Sequence, residues 1–295
     1  MRRYLAAAMT RRWLSTEIGE QHWRMDDVRL IARLEQVSAE NGVAFAVALS
    51  VVDRSWGTET LAVAGGQLVL CGPGLYVNRA IGVGIGATLR AADIGLIVDR
   101  SAAVGVPAAV EVTPATHPDS ICELNEHGFV HDPSSDVTAL VRPLDELPDR
   151  FRSGDGIKVV SVGERSLAEW QDVSALGWGH VTESARRAAD TFAAAAHVVD
   201  GDGMMIAVDA SDGRPLGCAS MTLCDDVATL GGMSTIPAER GRGVQAALIL
   251  HRLGRAKAAG CAIATSTTVV GGASERNVQR FGFRPTHVKQ TWVRR

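Results

Sequence analysis

The chain has 295 residues, of which 46% are hydrophobic and 21% charged, with 30 Lys and Arg against 33 Asp and Glu and a net charge of −3. This composition excludes a wholly disordered chain, which needs low hydrophobicity and high net charge, and a balance this close to neutral excludes a bulk nucleic-acid binder. The length suggests roughly two domains, and five cysteines without a Cys-x-x-Cys pair argue against a zinc ribbon and fit a reducing cytoplasm.

Residues 1–25 carry Arg2, Arg3, Arg11, Arg12 and Arg24 around an apolar stretch, 5–9, too short for a secretory signal. They read as a tail, as a short added helix, or as an upstream start ahead of a protein that begins near Met25. No apolar run reaches the roughly 18 residues of a membrane span. From Asp26, Val28, Leu30, Ile31, Leu34 and Val37 repeat at helical spacing. The β-branched run 43–52 reads as a strand, and 61–70 as another. A helix is predicted over 88–105, a strand over 107–112, a helix over 119–127 stopping at Gly128, and a strand over 137–141. Pro143, Pro148, Gly154 and Gly156 then mark a polar stretch that reads as a domain boundary, dividing 26–145 from 157–295.

The second half starts over. A strand over 158–162 precedes helices over 166–176 and 182–197, the latter opened by Thr182. Strands over 204–209 and 216–223 join at Asp212-Gly213, a hairpin signal, and a third strand covers 227–236. After the charged loop 237–243 comes an Ala- and Leu-rich helix over 244–259 that ends at Gly260. A strand over 262–269, a short helix over 274–280 and a strand over 287–294 complete the chain. The halves rhyme: each has a strand, a helix ending in Gly, a strand, a short helix ending in Gly-Phe (Gly128-Phe129; Gly282-Phe283) and a strand. This pattern implies a tandem repeat of one α/β unit.

The chemistry is concentrated in the loop between the 227–236 strand and the long helix. Gly241 and Gly243 permit close backbone approach, the helix start adds Val244 and Gln245 amides at its positive end, and Arg240 and Arg242 supply charges that grip phosphate. Physically this is a pyrophosphate cradle. It lacks the Gly-Lys-Ser/Thr ending of a nucleoside-triphosphate loop. Taken alone, the loop also reads as an ordinary strand-to-helix turn with solvated arginines. The segment from Ala273 to Phe283 follows the next strand at a distance that lets it flank the same place.

These residues resemble the GNAT superfamily of acyl-CoA N-acyltransferases, whose signature Q/R-x-x-G-x-G/A is matched by Arg240 and Gly243, with a Gly-Phe pair near the end. Gln245 stands where Gly or Ala is usual, as in several bacterial GNAT proteins that look similar here. The resemblance covers about residues 204–295, extends plausibly to Lys158, and makes 26–141 a degenerate copy. It implies a mixed α/β fold of two tandem GNAT-like domains whose middle strands splay apart. It also implies acetyl-CoA as co-substrate, with pantetheine along Met233 and Thr235, pyrophosphate on the 240–245 amides, and Ser274 and Asn277 on the other wall. Ser274 reads equally as a helix cap and Asn277 as a surface residue.

The reaction so implied is direct attack of a small-molecule primary amine on the acetyl thioester. The Tyr usual as acid in such proteins is replaced by Val278, and no acid lies in 228–233, where the base often sits. His180 and Glu183, between the first two helices of this half, are the candidates for the acceptor side; Trp178 reads as core or pocket wall, and Asp225 and Asp226 as a turn. Two alternatives are a non-catalytic acyl-CoA-binding module and a peptide N-acetyltransferase. In the first half, Gly82-Val83-Gly84-Ile85-Gly86-Ala87 matches a dinucleotide fingerprint weakly, without the expected acid about 20 residues on. Its glycines fit a degenerate strand-to-helix turn better. No metal site is expected from the scattered histidines. A homodimer is an expectation drawn from related folds.

Overall fold

The computed structural model describes residues 25–145, 156–162, 167–180 and 182–294. Of the tail expected over 1–25, residues 1–24 lie outside the described residues, as do Pro148 and Gly154 of the linker. Helix α1 (Met25–Val52) opens the structure. It is followed by strands β1 (Glu59–Val63), β2 (Gly66–Leu70) and β3 (Arg79–Ile81), helix α2 (Ala91–Val104), strand β4 (Ala108–Val112), helix α3 (Pro118–Glu126), and strands β5 (Val130–His131) and β6 (Val137–Pro143). The second half runs β7 (Ile157–Ser161), α4 (Leu167–Trp178), α5 (Glu183–Asp200), β8 (Met204–Asp209), β9 (Pro215–Cys224), β10 (Val227–Thr235), α6 (Val244–Ala258), β11 (Ile263–Val269), α7 (Ala273–Gln279) and β12 (Arg284–Arg294).

Two expectations are corrected. The run 43–52 is not a strand: it continues α1. Phe45, Ala46, Ala48 and Leu49 are buried at helical spacing, in phase with Leu34 and Val37, so the tertiary face overrides β-branched propensity. Gly42 lets this helix lie close on the sheet, because a Cβ there would sit 3.1 Å from Val69. The stretch 61–70 is a hairpin, not one strand, because Ala64 and Gly65 both turn through positive φ (43° and 83°).

The repeat is present, and the two copies exchange strands. The sheet has the order β1-β2-β3-β4-β12-β6-β11-β10-β9-β8-β7, with β5 also on β12. Strand β6, from the first half, lies between β11 and β12 of the second, pairing Val137–Pro143 against Val269–Ile263. In return the end of β12, Gln290 to Arg294, pairs with β4 and β5 of the first half. Each half's sheet is therefore completed by a strand of the other. The equivalent turns also match: Gly105 and Gly260 end α2 and α6 at φ 78° and 84°, and Phe129 and Phe283 are both buried after Gly128 and Gly282.

Helix α1 crosses this seam. Leu34 and Val37 pack with Val141 and Val227, Phe45 meets Phe192 of α5 at 4.5 Å, and Arg33 pairs with Asp225 and Asp226 at 2.9 and 3.2 Å. Those two aspartates do form the β9–β10 turn, with Asp225 at φ 50°, and also tie it to the first half. Beneath α1 lies a buried charge cluster. Glu35 accepts from His287 at 3.0 Å and faces Lys289 at 3.2 Å; Lys289 also pairs with Glu111 at 2.9 Å, which pairs with Arg79 at 3.3 Å. Burial would raise the Glu35 pKa, but the Lys289 charge and the His287 contact outweigh it and hold the group below its ordinary value. Burial would lower Lys289, yet the Glu111 and Glu35 charges raise it.

Candidate active site

Strands β10 and β11 part company early. They pair in parallel only from Val227 to Thr229 against Ile263 to Thr265. Beyond that rung β11 continues along β6 to Val269, while β10 follows β9. The opening between them runs along the six residues from Leu230 to Thr235, roughly 20 Å of strand at about 3.3 Å per residue.

A β-bulge marks the opening. Gly231 pairs with Ser220 and Ser234 with Cys218, so Gly232 and Met233 together oppose Ala219. Gly232 has φ 54°, and a Cβ there would meet Ser220 Oγ at 2.6 Å. Arg252 of α6 fastens the bulge from below. It is 2% exposed, and its guanidinium donates to Ser220 O at 3.0 Å, Gly231 O at 3.1 Å and Leu248 O at 3.2 Å, with Met233 Sδ at 3.1 Å. Burial pulls its pKa down to about 9, which leaves it charged at neutral pH. Past the bulge, Ile236 N donates to Leu216 O. By antiparallel alternation Thr235 turns its backbone groups away from β9 and into the opening. Thr235 Oγ1 is buried there with no hydrogen-bond partner, and Met233 lies half-buried two residues earlier.

The loop after β10 ends at the mouth of this opening. Gly241 and Gly243 have φ 80° and 86°, and a Cβ on either would meet open space. Gly243 caps α6 with no side-chain hydrogen bond. The first loop or helix amide to find a backbone acceptor after Arg240 is that of Ala247, on Gly243 O. The amides of Gly241, Arg242, Gly243, Val244, Gln245 and Ala246 are thus presented together at a helix N-terminus.

The two arginines do different things. Arg240 is exposed and donates to Gly177 O at 3.3 Å, tying this loop to the end of α4. Arg242 turns to Asp209 at 2.8 Å and Glu239 at 2.5 Å, in a cluster with Arg214. Its side chain braces the loop. Gln245 reaches the far wall, where Asn277 Nδ2 donates to Gln245 Oε1 at 2.6 Å. Ser274 is exposed on α7 and does not cap it, since Gly272 occupies that position.

On the acceptor side, His180 is half-buried with Nδ1 unpartnered, and Glu183 is exposed in the first turn of α5. Trp178 is 57% exposed, so it is not core. Val278 is buried among α6 side chains and offers no proton.

The first half's equivalent loop, between β3 and α2, is filled by the protein itself. Ser120 Oγ accepts from Leu89 N at 2.9 Å, and the Asp93 carboxylate takes the Arg90 amide at 2.9 Å. A carboxylate on the first turn repels an anion that an open helix start would attract. Among the described residues no group of three His, Cys, Asp or Glu is placed to hold a metal, and no helix is long and apolar enough to cross a membrane.

The bulge and Arg252 were not among the residues expected from the sequence. The Gly231-Gly232 pair inside a strand and an arginine on the apolar stripe of α6 were the available signals.

Residues 166–283 match the family model described as Acetyltransferase (GNAT) family. No curated protein matches the chain. The fold is similar to that of a tandem GNAT protein from the clavulanic acid biosynthesis pathway, with a TM-score of 0.61 at 16% identity over 91% of this chain and 94% of that one. It is also similar to a GCN5-related N-acetyltransferase from Kribbella flavida, with a TM-score of 0.58 at 18% identity over 84% and 95%. A GCN5-related N-acetyltransferase from Sphaerobacter thermophilus gives 0.53 at 18% identity, and there the match spans 68% of this chain and 65% of that one.

Proposed function

From a chain of tandem GNAT fold whose C-terminal half carries a GNAT acetyltransferase domain, we propose that it transfers an acetyl group from acetyl-CoA to a primary amine of a small molecule, and that the C-terminal half alone holds the cofactor. The single observation that carries this reading is the contrast between the two loops. Six unpartnered amides, Gly241 to Ala246, stand at the mouth of the β10–β11 opening, whereas Ser120 and Asp93 occupy the corresponding amides of the first half.

The residues fit a diphosphate: the amides converge, the glycines leave open space, and Arg240 adds an exposed charge. Thr235 offers its backbone to a cofactor arm that lies along β10 as an added strand. Acetyl-CoA supplies the acetyl group and a thiolate leaving group. The chain's part is to fix the thioester in the opening, hold a neutral amine against it, and carry away the proton that the amine sheds.

The fitting experiment follows release of CoA from acetyl-CoA over a panel of amino sugars, polyamines, amino acids and peptides. Acetylation of a small amine supports the reading. A second reading, a non-catalytic acyl-CoA-binding module, is favoured by buried Val278 and by the absence of an acid on β10. Tight acetyl-CoA binding with no turnover over the whole panel would select it.

A further inference from the structure

Strand β7 ends the sheet: it pairs with β8 on one side and, among the described residues, with no strand on the other. The register fixes which of its groups face outward. Ala210 N donates to Gly156 O at 2.9 Å and Val162 N to Met204 O at 2.8 Å, so the even-numbered positions turn their backbone to β8. By antiparallel alternation Ile157, Val159 and Ser161 turn their N–H and C=O groups out of the sheet. A row of such groups is a template for a further strand.

A groove of about 520 Å³ lies beside that edge, between β7 and α6. Ile157 and Val159 form one side of it, and Ala247, Leu250 and Ala258, on one stripe of α6, form the other. Gly254 in the same stripe adds no side chain, which leaves the groove depth. The rim is basic. Lys158, His251 and Arg255 line it, and neither β7 nor α6 carries an acid. Arg255 donates to the neutral carbonyl Asp202 O, and among the described residues neither Lys158 nor Arg255 meets a carboxylate. Burial first, and then the Arg255 and Arg252 charges, hold His251 below its ordinary pKa.

We propose that this edge and groove are a docking site for an extended acidic peptide of a partner protein. The peptide adds a strand to β7, sets alternate apolar side chains into the groove, and brings its carboxylates within reach of Lys158 and Arg255. The five residues of β7 offer roughly 17 Å of edge, at about 3.3 Å per residue. Charge separates the possible occupants. A second copy of this chain would set one uncompensated basic rim against another, and like charges so juxtaposed oppose association. A nucleic acid has no ladder of N–H and C=O groups to match Ile157, Val159 and Ser161. None of the groove residues belongs to the 240–246 loop, so the proposal is independent of the acetyl-CoA reading.

The experiment measures fluorescence anisotropy with the full chain and two dye-labelled, end-capped octapeptides, one alternating valine with glutamate and one alternating valine with lysine. The glutamate peptide is expected to bind, and the lysine peptide to bind more weakly by about tenfold or more. Lys158→Glu combined with Arg255→Glu is expected to reverse that preference. Val159→Pro removes an outward N–H and leaves the β8 ladder intact; it is expected to weaken the glutamate peptide by about tenfold or more. Val159→Thr keeps the N–H and is expected to bind as the unmodified chain does, with melting temperatures confirming that all variants fold. Equal affinity for the two peptides overturns the proposal, as does no binding of the glutamate peptide at about 1 mM, or unchanged binding by the folded Val159→Pro and charge-reversed chains. A dimer of the unmodified chain in sedimentation that Val159→Pro dissociates also overturns it, since a second copy then holds the edge.

Discussion

Asn277 Nδ2 donates to Gln245 Oε1 at 2.6 Å, joining helix α7 to the first turn of helix α6. Gln245, which departs from the small residue usual in the signature it resembles, is therefore a strut between the strand-to-helix loop and α7. A neutral hydrogen bond of this kind contributes about 1 kcal/mol. Asn277→Ala and Gln245→Ala should each lower the unfolding free energy by about that much, and the double variant by little more than either single one. Urea denaturation of the three variants checks this coupling. Additive losses would mean that the contact carries no energy.

Arg240 and Arg242 separate on mutation. Arg240→Glu removes the exposed charge at the cradle and should weaken acetyl-CoA binding about tenfold or more, since hydrogen bonds to charged groups are worth about 1.5–3 kcal/mol. Its melting temperature should barely move. Arg242→Glu places a third carboxylate beside Asp209 and Glu239 and should lower the melting temperature even without cofactor. Thermal scans and titrations of both variants distinguish the two roles.

Arg252→Met tests the support of the bulge. The change leaves the buried carbonyls of Ser220 and Gly231 without their donor, and each lost partner costs about 1–3 kcal/mol. The variant should unfold at lower denaturant and bind acetyl-CoA more weakly, because the β10 backbone no longer holds its shape. Wild-type affinity in a destabilised variant would show that the bulge does not shape the site.

The buried cluster predicts an inversion of pH dependence. In the native chain Glu35 titrates below its ordinary 4.5, so its contribution to stability is full above that value and is lost as pH falls through the lowered one. In Lys289→Met the counter-charge is gone and burial raises Glu35 above its unfolded value. Its contribution is then greatest at low pH and is lost as pH rises. At pH 7 the variant should be about 3–5 kcal/mol less stable, and mild acid should recover part of that loss. Unfolding free energies measured from pH 4 to 8 decide it.

The repeated turns and the strand-to-helix loop were legible in the chain because both are written locally. Gly260 after a long amphipathic helix, Gly-Phe after a short one, and Arg240 to Gln245 between strand and helix each announce a backbone geometry within a few residues. The strand exchange was not legible, because β6 and β12 have ordinary strand patterns that do not name their partners. The run 43–52 misled for a related reason: its β-branched residues favour a strand in isolation, and only the packing of Phe45 and Leu49 under the sheet decides for helix. Glu35 is one acid among many on a helical repeat. Its importance comes from His287 and Lys289, which lie more than 250 residues away and meet it only in the folded molecule.

The most direct measurement is calorimetric titration of the full chain with acetyl-CoA and, separately, with NADH. One acetyl-CoA site per chain, weakened by Arg240→Glu, with no NADH binding, is the predicted result. Two acetyl-CoA sites would mean that the Ser120- and Asp93-filled loop of the first half opens to a cofactor. No acetyl-CoA binding by a folded sample would contradict the assignment of the 241–246 amides as its cradle.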